Sequence, residues 1–344
     1  MKFIHISDVY LGTVPDAGMI WGESRAKELW DSFGRVIDDC NRERADVLLI
    51  SGDLFGRLPS VKEMDEALAI LSRLKDTQVF ITAGDKDRLC PASLYQICEW
   101  PEHVHLLGEG GPQTYELPYP GVKVQGISLT GDRTCREDAL KCSPVIGEDY
   151  NILMFSAGEL TQDDVYMIAT AGFDYVAMGG KAQCDILERE KAAYPGTLEP
   201  LEPGDAKHGY ILGEIDDGGT RLTFVATQKR SYRKIELDVR ELSGDEDILP
   251  RIRKRISDEG SNNIFTVRLT GAAQDSELTD AVKRCGNVLG VEYSGQAPVD
   301  IKAVKAMHSE DIVGKYIDLL EKDKRPEAAQ AMELGVRTLL DSGR

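Results

Sequence analysis

Histidine is scarce in this chain: five residues of 344, His5, His103, His105, His208 and His308. A metal centre built from several imidazoles therefore has little to draw on. Long apolar runs are missing too. No window approaches the roughly 18 uninterrupted apolar residues of a membrane span. The chain opens on the strand-like KFIHIS without the apolar stretch of a signal peptide, so the expected location is the cytoplasm, with no membrane partner. The seven cysteines form no C-x-x-C pair and are odd in number, which argues against a zinc knuckle or a disulfide framework. They are expected to be reduced and mostly buried. Basic residues are outnumbered, 41 against 59, giving a net charge of −18. The field of the whole molecule repels nucleic acid and acidic membranes, so any DNA contact has to be local or supplied by a partner.

Several chemistries lack their residues. Ser156 does not sit in a G-x-S-x-G elbow. Gly108-Glu109-Gly110-Gly111 has neither the lysine nor the hydroxyl of a P-loop. Trp21, Trp30 and Trp100 are not spaced as a stacking platform for single strands. Two basic clusters remain, Lys229 to Lys234 and Arg251 to Arg255, each either a solvated surface or a phosphate-contacting patch.

What the sequence does contain is alternation. Short apolar runs begin at Phe3 (FIHIS), Val47 (VLLISG), Val79 (VFITAG), Val122 (VKVQGISL), Asn151 (NILMFSAG) and Tyr175 (YVAMGG), with amphipathic stretches between them, the pattern of an α/β fold. Ala26, Leu29, Trp30, Phe33, Val36, Ile37 and Cys40 recur at helical spacing and predict a helix over 24–44; Val61, Met64, Leu68, Leu71 and Leu74 predict a second. Five runs end at turns of small or acidic residues, including Ser7-Asp8, Gly52-Asp53 and Gly84-Asp85. The crevice beyond strand carboxyl ends is where α/β sheets bind ligands. After about residue 230 the texture shifts to a small α+β unit with strands near Ile264 and Val288, and then to helices from about Ser309.

The order FIHISDxxLG, VLLISGDLF, a G-x-x-D turn, DYVAMGG and AYPGTLEP resembles the calcineurin-like metallophosphoesterases, and within them the SbcD-type DNA-repair nuclease branch, over about residues 1–215. The resemblance implies an α/β (α+β) fold: a four-layer αββα sandwich over 1–230, a small α+β cap domain over 231–305 and a helical, partner-binding tail over 306–344. In that family two divalent ions, roughly 3.5–4 Å apart, clamp a phosphodiester and activate a water.

The family's ligand motifs carry over unevenly. D-x-H reads Asp8-Val9-Tyr10, GD is intact at Gly52-Asp53, and GNHD reads Gly84-Asp85-Lys86-Asp87. A histidine after the next core strand falls on Ser156, and G-H-x-H falls on Gly179-Gly180-Lys181-Ala182. Asp8, Asp53 and Asp85 are thus the expected remnant of a metal set, suited at most to weak binding of Mg²⁺ or Mn²⁺. Lys86, at the position of the catalytic histidine, or Lys181 is expected to serve as internal counter-ion, because clustered buried carboxylates cannot all stay ionised alone. No other cofactor is expected. The function implied is a non-catalytic or regulatory subunit of an SbcC/SbcD-like complex, bound to a coiled-coil ATPase of the SbcC type, reaching DNA through that complex and able to form a homodimer. The alternative is an active Mn²⁺-dependent DNA exonuclease or phosphodiesterase with a rebuilt metal shell.

Overall fold

Each of the six apolar runs forms a strand, and period-two alternation decides what lies on either side of it. The computed structural model describes every residue except 132–134, 148, 158–159, 188–190, 205, 241, 243–244, 295–298, 300, 324, 326 and 343–344; Gly158, the end of the fifth apolar run, is thus outside the described residues. The chain divides into two units, Met1–Tyr232 and Arg233–Arg344.

In the first unit the strands are β1 (Lys2–Ile6), β2 (Val47–Ser51), β3 (Gln78–Thr82), β4 (Val104–Leu106), β5 (Gln113–Leu117), β6 (Val122–Ile127), β7 (Tyr150–Ser156), β8 (Tyr175–Gly179), β9 (Asp185–Leu187), β10 (Ala192–Tyr194), β11 (Gly209–Asp216) and β12 (Gly219–Ala226). They make two six-stranded sheets, ordered β12-β11-β1-β2-β3-β4 and β5-β6-β7-β8-β10-β9. Both are mixed: β1 to β4 run parallel with β11 antiparallel against β1, while β6, β7, β8 and β10 run parallel between the antiparallel edges β5 and β9.

One face of the first sheet (Phe3, Val47, Leu49, Phe80) packs on one face of the second (Val124, Ile152, Met154, Tyr175, Ala177). The alternate residues Ile4, Ile6, Leu48, Ile50, Val79 and Ile81 pack outward on α1 (Gly22–Glu43) and α2 (Val61–Leu71) through Leu29, Phe33, Val36, Ile37, Met64 and Leu71. Leu153, Phe155, Val176 and Met178 share a third cluster with Ala139 and Ile168, which belong to α4 (Arg136–Lys141) and α5 (Gln162–Ala169); the short α3 spans Leu94–Ile97. Strands apolar on both faces need cover on both, and the helix–sheet–sheet–helix layering supplies it. The second predicted helix ends earlier than its spacing suggests: α2 stops at Leu71, although Leu74 is still buried.

The two sheets come into close contact at Gly179. A Cβ on Gly179 would lie 1.8 Å from the Ser51 carbonyl oxygen, so only glycine fits there. Alongside, the buried His5 ring bridges the sheets, Nδ1 to the Tyr175 hydroxyl and Nε2 to Ser51 Oγ, each at 2.7 Å. Burial lowers its pKa to about 3, so the ring is neutral and works as a polar cross-brace.

The second unit has a three-stranded sheet of β13 (Tyr232–Asp238), β14 (Ile264–Thr270) and β15 (Val288–Ser294), with β14 in the middle and parallel to β15. Ile252 and Ile256 of α6 (Asp245–Glu259) and Val282 of α7 (Ser276–Lys283) share a core with Ile235, Phe265, Val267 and Leu269. The tail helices α8 (Ile301–Met307), α9 (Ile312–Leu320) and α10 (Ala328–Ser342) belong to the same unit but bury a cluster of their own, around Val304, Val313, Ile317 and Val336. Among the described residues no helix is long and apolar enough to cross a membrane. None of the seven cysteines is in a disulfide; Cys40 and Cys135 are buried, and the other five are half-buried rather than buried as expected.

Gly179→Ala is expected to destabilise the first unit by about 3 kcal/mol or more, since a backbone carbonyl cannot move aside as a side-chain tip can. Gly204→Ala, where a Cβ meets nothing within 4 Å, is the control and stays within about 0.5 kcal/mol of the parent. Thermal unfolding followed by circular dichroism reads both.

Candidate functional site

The turns after β1, β2, β3, β7 and β8 converge at one end of the sandwich. Main-chain bonds lock them together: Asp8 N–H donates to the Gly52 carbonyl (3.1 Å), Tyr10 N–H to that of Asp53 (3.1 Å) and Ala157 N–H to that of Gly179 (2.8 Å). Asp8, Tyr10 and Asp53 sit at φ of 51°, 55° and 51°, the left-handed region that non-glycine residues rarely occupy. Such backbone concentrates at functional sites because the surroundings must over-determine it, at a cost of order 1–3 kcal/mol each. The sequence places Asp8 and Asp53 here, and the structure does the same.

Asp8 is buried, and both of its oxygens accept hydrogen bonds. Its Oδ2 accepts from Ser7 Oγ (2.5 Å) and from the Gly180 N–H (2.9 Å), and its Oδ1 accepts from the Tyr10 hydroxyl (3.1 Å). Desolvation outweighs those donors and pushes its pKa up to about 6. Asp53, also buried, accepts the Lys86 N–H at 2.6 Å. Burial first, and then the neighbouring Asp87, raise its pKa as well.

The third buried carboxylate is Asp87, not Asp85. Asp87 is fully enclosed and accepts from Gly84 N–H (2.7 Å), Phe55 N–H (3.1 Å) and the Tyr95 hydroxyl (2.6 Å). Asp85 instead points outward, its side chain 54% exposed, to Lys86 Nζ (3.0 Å) and Arg88 Nη2 (2.8 Å). Hydrogen bonds from Arg88, and then Lys86, hold its carboxyl below the usual range. The expected trio of Asp8, Asp53 and Asp85 is therefore a trio of Asp8, Asp53 and Asp87. The signal was in the turn: a glycine followed three residues later by aspartate lets that side chain fold back on the glycine N–H.

The counter-ion expectation also changes. Lys86 Nζ is half-exposed and serves Asp85; it is the Lys86 main chain that reaches Asp53. Lys181 turns away altogether, to Asp185 (3.0 Å) and over the Tyr194 ring (4.1 Å). Neither ammonium is paired with the buried acids. The histidines lie elsewhere: His103 on the Leu71 carbonyl, His105 on Gln78, His208 on Thr197 and His308 on Asp311.

A buried ionic network that the sequence did not reveal fixes the AYPGTLEP segment. Arg25, 0% exposed, pairs with Glu28 (2.7 Å) and Glu199 (3.8 Å) and donates to the Pro200 carbonyl. The first basic cluster feeds the same network, with Arg230 on Glu28 (2.6 Å) and Lys229 on Asp31 (2.6 Å), so these two side chains serve acids on α1. The second cluster is on α6, where Arg251, Arg253, Lys254 and Arg255 are exposed.

The calcineurin-like phosphoesterase family matches residues 1–136, the stretch that supplies Asp8, Asp53 and Asp87. The chain carries a calcineurin-like metallophosphoesterase domain. It is similar to the DNA double-strand break repair protein Mre11 of Methanopyrus kandleri, 27% identical over 292 residues, covering 74% of this chain and 63% of that protein. It is similar to an uncharacterised metallophosphoesterase, YhaO, of Bacillus subtilis, 26% identical over 289 residues and covering 74% and 69% of the two chains. Among solved structures, a dimetal phosphatase from Danio rerio aligns with 66% of this chain and 99% of its own at a TM-score of 0.43 and 11% identity. The chain thus spans under two thirds of the Methanopyrus relative.

At the positions of the family's metal motifs this site offers the carboxylates of Asp8 and Asp53 and no imidazole. Among the described residues no group of three or more His, Cys, Asp or Glu is arranged to hold a metal. Both Asp8 oxygens already accept hydrogen bonds, and Tyr10, a donor to one of them, stands where the family motif has histidine.

Asp8 gives a pH signature with a definite sign. Its pKa is raised on folding from about 3.8 to about 6, so the folded state holds the proton longer. Stability from this group is intact below about pH 4, declines as pH rises through pH 4–6, and is lower by about 3 kcal/mol at pH 7. Asp8→Asn is therefore expected to be more stable than the parent at pH 7, by about 1–3 kcal/mol, with the gain vanishing toward pH 4. Urea denaturation at pH 4, 5, 6 and 7 measures it, and a loss of stability at pH 7 would contradict the assignment.

Proposed function

We propose that this protein is an Mre11/SbcD-type DNA-repair subunit that keeps the phosphoesterase scaffold without a working di-metal centre. It acts as a non-catalytic or regulatory member of a complex with an SbcC-like coiled-coil ATPase, docks on it through the tail helices α8 to α10, and reaches DNA through that complex in the cytoplasm. The similarity to Mre11 across 74% of the chain supports the repair-complex half of this reading. One observation carries the non-catalytic half. The five positions that match the family's imidazoles hold Tyr10, Lys86, Ser156, Gly180 and Ala182.

None of these supplies a neutral nitrogen lone pair. Tyr10 spends its hydroxyl proton on Asp8, Gly180 offers that same carboxylate its main-chain N–H, and Ala182 has only a methyl group. Lys86 puts a cation where an ion's ligand would stand, and a like charge raises the cost of bringing in a divalent ion. Without bound ions there is neither a nucleophile of lowered pKa nor a clamp on the phosphodiester.

Metal content by mass spectrometry after incubation with Mn²⁺, run beside an exonuclease assay on linear DNA, tests this. The expected result is well under one ion per chain and no cleavage above background, with Tyr10→His alone failing to restore it. About two ions per chain, with cleavage abolished by Asp53→Ala, would overturn the reading in favour of an active Mn²⁺-dependent nuclease.

A further inference from the structure

The chain that leaves β12 is stitched down before it reaches the second unit. Arg35 Nη2 donates to the Thr227 carbonyl (2.6 Å), and Thr227 Oγ1 donates to that of Leu198 (2.9 Å). Lys229 N–H reaches both oxygens of Glu199 (3.1 and 3.0 Å) while its ammonium pairs with Asp31 (2.6 Å). Arg230 pairs with Glu28 (2.6 Å) and donates to Ser24 Oγ (3.1 Å). Residues 227–230 are thus a strap held to α1 and to 198–199 at once. Its last tie is Tyr232, a buried residue whose hydroxyl donates to Asp16 Oδ1 (2.8 Å) and lies 3.4 Å from the Leu201 carbonyl. Tyr232 closes the first unit and opens β13, whose other residues belong to the second.

We propose that Tyr232 is a latch: it pins the loop 13–21 beside residues 199–203, and movement of β13 with the second unit releases it and widens the hollow that these two segments line. That hollow, about 460 Å³, takes Val14 and Pro15 from the loop and Leu201, Glu202 and Pro203 from the other segment, and Tyr10 of the strand-end turns lines it too. Asp16 directly follows Pro15, and Leu201 is itself a lining residue. One phenol therefore touches both segments.

Among the described residues, Tyr232 makes the one hydrogen bond that ties 13–21 to a distant part of the chain. The others stay within residues 10–25: Thr13 binds the Tyr10 carbonyl, and Met19 N–H and Trp21 Nε1 both bind Asp16. Asp16 sits at φ 55°, in the left-handed region, so this backbone carries strain that its ties have to hold. A loop with a single far anchor opens when that anchor lets go. The strap behind the latch serves as a stop. Arg230 and Glu28 are both largely buried, so a pull arriving along β13 meets Tyr232 first and leaves 227–230 on α1. Residues at element ends are where a hinge concentrates its change, and Tyr232 begins β13.

Hydrogen–deuterium exchange of the full chain, read by mass spectrometry, tests the latch. Tyr232→Phe keeps the ring and removes the donor; amides of 13–21 are expected to exchange about tenfold faster, with α2 unchanged. Ile235→Val takes one methyl group from the core of the second unit. It is expected to speed exchange of the same loop about fivefold in the parent and to add nothing in the Tyr232→Phe background. Unchanged exchange of 13–21 in Tyr232→Phe overturns the latch, and so does a rise that extends to α2, the mark of general destabilisation. No effect of Ile235→Val in the parent, or an equal further rise in the double variant, overturns the coupling through Tyr232 and the proposal with it.

Discussion

A carboxylate with no exposed atom, Asp87, holds the turns after β2 and β3 to each other. It takes a main-chain proton from each turn and a phenol proton from Tyr95, so neither turn moves independently of it. Everything at the strand ends follows from that clamp. Asp53 is brought against Asp87, Asp8 is brought against the Gly52 carbonyl, and the backbone of all three acidic turns is fixed before any ligand is present. Burying acids this close together costs free energy unless charge is withdrawn or opposed. Here the opposition comes mainly from hydroxyls and main-chain N–H groups: Ser7, Tyr10, Gly180, Lys86, Gly84 and Phe55.

That solution places the cations of the crevice at its mouth rather than among the acids. Lys86 and Arg88 are held by Asp85 on the outer side of the turn, with the buried acids on the inner side. A short segment, Gly84 to Arg88, therefore turns one carboxylate inward, Asp87, and an ion-paired group of Asp85, Lys86 and Arg88 outward.

Much of this was legible in the sequence, and the failures have a common cause. The strands and the face of α1 follow from apolar spacing, because burial on one or both faces is a periodic demand that a linear sequence records. Asp8 and Asp53 were legible because they sit one or two residues beyond strands whose direction is set. Asp85 and Asp87 were not separable in the same way. Two residues apart in a turn, they face opposite sides, and which one goes inward depends on the Gly84 N–H, which the turn's own spacing offers, and on the Phe55 N–H, which comes from 32 residues away and no local pattern displays. Lys181 failed for a related reason, since an acid four residues on and the Tyr194 ring compete for it more closely than the buried carboxylates do. Arg25 was read only as part of a helix, yet with 0% exposure it is the most deeply committed cation in the unit, and its partners come from residues 28, 199 and 200.

The strand order has a consequence for how the chain comes into being. β1 is a central strand, flanked by β2 on one side and by β11 on the other, and the Met1 and Lys2 end pairs with residues beyond 213. At ribosomal rates of roughly 5–20 residues per second, β1 waits on the order of ten to forty seconds for its second neighbour. Through that interval an apolar strand, the sheet edge it forms with β2, and the lone Arg25 guanidinium stay open to solvent. The stretch 1–136 that bears the family signature therefore lacks β11, the strand that closes the open side of β1.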